Sequence, residues 1–166
     1  MRKSNFALLS TCILTGLFAF KASSPIEKIR HYYELAPNNE TALDSLLNIC
    51  NQNGSVAEIK GYFYAGQCIQ AKFAKNPWQK YTLCKNALSN LNRLVNNFEQ
   101  NVEIRYIRFS VEVNLPAYLP FENHIEADKN FILINLNTNH SNYHRIKKFI
   151  IKEGKLTETE KKQIDQ

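Results

Sequence analysis

Arg105 and Arg108 stand one helical turn apart in a run of large apolar residues, Ile104, Tyr106, Ile107 and Phe109. Each guanidinium is a planar fork of donors, so two at this spacing could clamp a carboxylate or a phosphate. The same pair also suits an internal network. Arg108 can reach Glu112 four residues on, Asp128 can take Arg105, and a charge among apolar neighbours has to find a partner. Of the two readings the network carries more weight. Cys68 and Cys84 form a second pair, each eight residues from Asn76. If Asn76 and Pro77 mark a turn between antiparallel helices, the two thiols sit at the same height. An oxidising compartment would then permit a disulfide. Helix rotation is not readable from sequence, so two buried free thiols are the favoured state. His140 and His144 are four apart, the spacing of a metal pair, but no acid follows in the H-E-x-x-H manner. They read as solvated side chains, and no metal is expected. There is no glycine-rich phosphate loop, no G-x-S-x-G and no acid pair at a useful spacing, so neither a cofactor nor a catalytic set is expected.

These residues must be positioned by helices. Five times a cap-type residue stands three positions before a Glu or Gln: Ser24/Glu27, Ser55/Glu58, Asn76/Gln79, Asn123/Glu126 and Thr157/Glu160. In such a box the first side chain accepts from an unpaired backbone N–H, and the second reaches back to the cap's own N–H. Apolar spacing predicts helices over residues 25–35, 40–50, 56–75, 77–98, 102–114, 124–137 and 142–152, with a short one after Thr157 that frays. Gly54 closes the second by turning left-handed. The third has a stripe of large residues (Ile59, Tyr62, Phe63, Ile69, Phe73) and a row of small ones (Gly61, Ala65, Cys68). A helix apolar on two sides belongs in the middle of a stack. Trp78 reads as a hydrophobic plug, and Ile125, Phe131, Ile132 and Ile134 as the buried side of the sixth helix. Nothing alternates with period two over a useful length, so the fold class is all-α.

Arg2 and Lys3 precede a weakly polar to apolar run over residues 6–20, followed by Lys21 and small residues. That is the build of a secretory signal, cut or retained as an anchor, and either form exports the rest of the chain. Leu9-Ser10-Thr11-Cys12 has the outline of a lipobox, but Thr11 is large for it and the apolar run continues past Cys12. After residue 24, 18 basic and 15 acidic side chains remain, a balance of +3. A body this near neutrality is a poor candidate for nucleic acid. Residues 145–162 hold seven bases and three acids, a face for an anionic lipid surface or, more simply, for solvent. Asn39, Asn53 and Asn139 each open a glycosylation sequon, which counts only in a host that glycosylates.

From Ile59 to Phe98 the chain resembles a tetratricopeptide-type hairpin. Gly61 and Tyr64 hold the spacing of that repeat's first helix, and Ala87 and Leu91 that of its second. The stretch from Asn101 to Ser110, then Asn114-Leu115-Pro116 and Asp128-Lys129-Asn130-Phe131-Ile132, is similar to a group of small secreted bacterial helical proteins of unknown function. The resemblance implies a helical-repeat-like fold and carries over no catalytic residue.

The expectation is an all-α fold of antiparallel helix pairs, stacked as a short tetratricopeptide-like array of about seven helices. A leader occupies residues 1–24, the helical domain 25–153, and a short terminal helix or frayed tail 154–166. A stack of this kind presents a groove, so the expected role is an exported, non-enzymatic protein- or peptide-interaction module, periplasmic or extracellular. Two other readings stay open. One is a small anionic-ligand binder or enzyme using Arg105 and Arg108. The other is an envelope-associated structural protein, touching the membrane through an uncut N-terminal segment.

Overall fold

Prolines open two of the helices, where a missing N–H is no loss and the fixed φ suits the first turn. The computed structural model describes residues 24–164. The expected leader, apart from Ser24, and Cys12 with it lie outside the described residues. The elements are α1 (Pro25–Leu35), a 3-10 turn (Ala36–Asn38), α2 (Glu40–Gln52), α3 (Ala57–Phe73), α4 (Pro77–Asn97), α5 (Val102–Glu112), α6 (Ile125–Asn135), α7 (Tyr143–Glu153) and α8 (Glu158–Ile164). Among the described residues there is no strand, so the all-α class holds. No helix among them is long and apolar enough to cross a membrane.

The caps differ from the expected boxes. Only Thr157/Glu160 closes in full: the Thr157 N–H donates to Glu160 Oε2 at 2.7 Å, and the Glu160 N–H to Thr157 Oγ1 at 3.3 Å. Asn76 caps α4 by accepting from the Trp78 N–H. At the starts of α1, α3 and α6 no side-chain cap forms. Glu27 and Glu58 are drawn off to Arg30 and Asn101 instead. Two further caps, Asn39 on the Ala42 N–H and Asn101 on the Ile104 N–H, have no Glu or Gln three residues on. Gly54 is not left-handed, because no described glycine has positive φ; that conformation falls to Lys155 (φ 48°), just past α7. Asn53 stands as the α2 C-cap, its side chain donating to the Ile49 carbonyl at 2.8 Å.

α3 lies in the middle, packed against α1, α2, α4 and α5. Its two glycines face different neighbours. A Cβ on Gly66 would come within 2.8 Å of Leu47 on α2, and one on Gly61 within 3.0 Å of Ile107 on α5. An alanine at either position would require the tip of the facing side chain, Leu47 or Ile107, to shift. α8 packs back on the body: Ile164 is buried, as is Leu156 just before the helix, and Gln163 donates to the Leu133 carbonyl at 3.3 Å. Ile134 points outward; Ile132 and Leu133 take the buried side of α6 beside Asp128 and Lys129. The packing sequence α1–α2–α3–α4–α5–α6 continues along the chain, and α5 also touches α7.

α5 governs the placement of charge. All its residues except Arg105 are buried, including Glu103, Arg108, Ser110 and Glu112. A helix covered on every side has no solvent face on which to leave polar groups, so each must be answered by a neighbour.

Candidate functional site

Arg108 does not reach Glu112. Its Nε and Nη2 donate to the two oxygens of Asp128, both at 2.7 Å, and Nη1 donates to Asn92 at 3.1 Å. Arg105 donates to the same Asp128 at 3.1 Å and to the Glu99 carbonyl, and its guanidinium lies over the Phe131 ring at 4.7 Å. Asp128 is 0% exposed. The carboxylate that the arginine fork could have taken from a ligand is thus supplied by α6. Of the two readings of Arg105 and Arg108, the internal network is the one present, with Asp128 inside it and Glu112 outside it. Glu112 turns the other way, accepting from the backbone N–H and ring Nδ1 of His124.

A second network opens to the surface. Arg30 is buried because it lies four residues after Ile26 and three before Tyr33, on the apolar stripe of α1. Its Nε donates to Glu103 Oε1 at 2.8 Å, and Nη2 donates to Glu103 Oε2 and to Ser141 Oγ. Nη1 donates to Glu27, which also accepts from Arg145 at 3.0 Å. Glu103 Oε1 accepts further bonds from the Tyr62 hydroxyl at 2.8 Å and from Asn142 Nδ2 at 3.1 Å. Asn142 Oδ1 is buried with no partner among the described residues. Burial opposes the Arg30 charge, but the bonds it donates to Glu103 and that carboxylate's negative charge outweigh this and hold the guanidinium above its ordinary range. Burial, with Glu103 adding to it, also pushes the Tyr62 hydroxyl well up, so it stays a donor.

Above this network lies a cleft of ≈ 620 Å³. Arg30 and Glu103 line it. Ile26, Val56 and Ile59 supply apolar wall, while Glu58 and His140 add polar groups. The His140 Nδ1 accepts from the Asn142 backbone N–H, which leaves Nε2 as the ring's donor. His144 packs against the Tyr143 ring at 5.3 Å. No three His, Cys, Asp or Glu side chains among the described residues group as metal ligands. The signal that could have pointed to Arg30 was its place on the α1 stripe; nothing local pointed to Glu103, 73 residues away.

Glu27 makes the network sensitive to acid. Burial would raise its pKa, yet bonds from Arg30 and Arg145 win and lower it below the usual 4.5. A carboxylate held low in the folded state contributes stability that is complete above the unfolded value and is lost as pH falls through the folded one. Glu27→Gln is therefore expected to flatten the fall in Tm between about pH 5 and pH 3. Thermal melts of both proteins across that window check it; identical slopes would refute it.

Trp78 is not a plug. It is 73% exposed, tilted at 5.9 Å to Tyr81, which in turn stacks on Phe121 at 5.4 Å. Cys68 and Cys84 come together across α3 and α4, both buried, and both are free thiols, as is Cys50.

Comparison with known families, characterised proteins and solved structures finds no match to this chain.

Proposed function

We propose that this chain is an exported helical interaction module and that it binds a basic side chain of a peptide or protein in the cleft above Arg30 and Glu103. The observation that carries this reading is a buried ion pair opening into a cleft with apolar walls, built from separate parts of the chain. Clefts that combine apolar surface with a few fixed polar groups are where ligands are held. The local charge favours a cation. The charged side chains lining the cleft are Glu58, Glu103 and Arg30, and Glu103 already takes Arg30. Glu58 is half-buried, and its Oε1 accepts from Asn101. Its other oxygen is the acceptor offered to a guest, whose aliphatic stem would lie along Ile26, Val56 and Ile59. The succession of helices packed each on the next, with α3 touching both α1 and α5, supports the repeat-like architecture that such modules use.

The test is fluorescence anisotropy with labelled peptides that differ only in carrying Lys, Arg or Glu at a central position. Basic peptides are expected to bind, and Glu58→Lys to weaken them by about tenfold or more, since it replaces an attraction by a repulsion. The same variant should lose only about 1 kcal/mol of stability, the worth of the bond Glu58 accepts from Asn101. Equal binding of acidic and basic peptides, or binding indifferent to Glu58→Lys, would overturn the reading.

A further inference from the structure

We propose that Cys68 and Cys84 are a built oxidation site, at which a small disulfide such as oxidised glutathione closes a covalent staple across the α3–α4 hairpin. The two helices are joined by residues 74–76 alone, so they run antiparallel, and Cys68 and Cys84 face each other. Their sulfurs are 3.1 Å apart, about 1 Å beyond the ~2.05 Å of a bond. Little movement is needed. The third described thiol, Cys50 on α2, is buried, and burial raises its pKa to about 12.

The pair is also asymmetric. The Cys68 S–H donates to Cys84 Sγ, and that bond lowers the Cys84 pKa against the opposing effect of burial. The same bond, with burial adding to it, raises that of Cys68. Cys84 is therefore the attacking sulfur, because the thiolate is the nucleophile. Its thiolate attacks one sulfur of oxidised glutathione, whose S–S bond breaks, and one glutathione thiolate leaves and takes up the proton Cys84 gave to solvent. Cys68 then loses its proton, and its sulfur attacks Cys84 Sγ. The mixed disulfide breaks, and the second glutathione leaves and is protonated. Two protein thiols are oxidised and one glutathione disulfide is reduced to two thiols. Both cysteines are buried, so the exchange has to wait for local opening of the hairpin, and once closed the bond is shielded from reductants in the same way.

The experiment treats the reduced full chain with oxidised glutathione, in buffer and in sub-denaturing urea, and maps the products by mass spectrometry after blocking free thiols in denaturant. A tryptic pair joining the Cys68 and Cys84 peptides is expected, about 2 Da lighter than the sum of the two reduced peptides. It should form over hours in buffer and faster in urea. The closed form should melt roughly 5–10 °C above the reduced one. In Cys68→Ser the reaction should stop at the mixed disulfide, with Cys84 carrying about 305 Da of glutathione. Cys68 in Cys84→Ser should stay unmodified over the same time. Both cysteines alkylated in full after oxidant, in buffer and in urea, would overturn the proposal. So would cross-links that pair Cys68 or Cys84 indiscriminately with Cys12 and Cys50. The wild-type map decides the matter even if a variant fails to fold.

Discussion

Replacing Asp128 by Ala costs about 3–5 kcal/mol of folding stability, because it strands the buried Arg108 guanidinium with no anion. Arg108 is 3% exposed and spends two donors on this one carboxylate. Truncating one partner of such a pair leaves the full desolvation penalty of the other, whereas removing both together is often neutral. Arg108→Met combined with Asp128→Leu should therefore recover most of what Asp128→Ala loses. Arg105 is the lesser member. Its side chain is 19% exposed and can turn to solvent, so Arg105→Met should cost no more than about 1 kcal/mol. Chemical denaturation of these variants decides between an internal network and a ligand clamp. If the double variant Arg105→Met, Arg108→Met is as stable as wild type, Asp128 does not need its arginines, and the pair returns as a candidate site.

Glu103→Ala carries a comparable expected loss, about 3–5 kcal/mol, by the same reasoning applied to Arg30. The Tm should fall on the order of 10 °C or more in a domain of this size. Here the cost extends further, because Tyr62 and Asn142 also donate to this carboxylate. Arg30→Met alone should destabilise as well, and the pair Arg30→Met, Glu103→Leu should be milder than either. A double-mutant cycle measures the coupling between the two. Additive losses would mean that Arg30 and Glu103 do not depend on each other and that the cleft floor is not a coupled unit. Glu58→Lys, by contrast, is expected to weaken binding while costing only about 1 kcal/mol of stability, and this separates the cleft's rim from its floor.

Much of the fold was legible. Helical apolar spacing placed the helices with most ends within two residues, and the central position of α3 followed from its two apolar sides. Its glycines turn out to admit two different neighbours, Leu47 on one side and Ile107 on the other. The charge pairings were harder to read. Local rules favour partners three or four residues apart, and so pointed Arg108 at Glu112. In the fold, Glu112 serves the start of α6 through His124, and Arg108 crosses to Asp128. Residues 30 and 103 are linked only by tertiary packing, and no periodicity carries that information. Trp78 failed for another reason: large apolar residues favour burial, but at the first turn of α4 this one stays 73% exposed, with Tyr81 tilted beside it. The box motif failed at Ser24 and Ser55, where the glutamates three residues later had stronger partners than a backbone N–H.

The enclosure of α5 constrains how the chain can drift. Glu103, Arg108 and Glu112 each answer to a different segment: the first helix, the sixth, and the loop leading into the sixth. A charge cannot be altered at one of these positions without a matching change far away in the chain. Lineages descended from this sequence should vary there in reciprocal couples, exchanging ion pairs for apolar pairs in concert, while the outer surfaces of α2 and α4 accumulate single replacements freely.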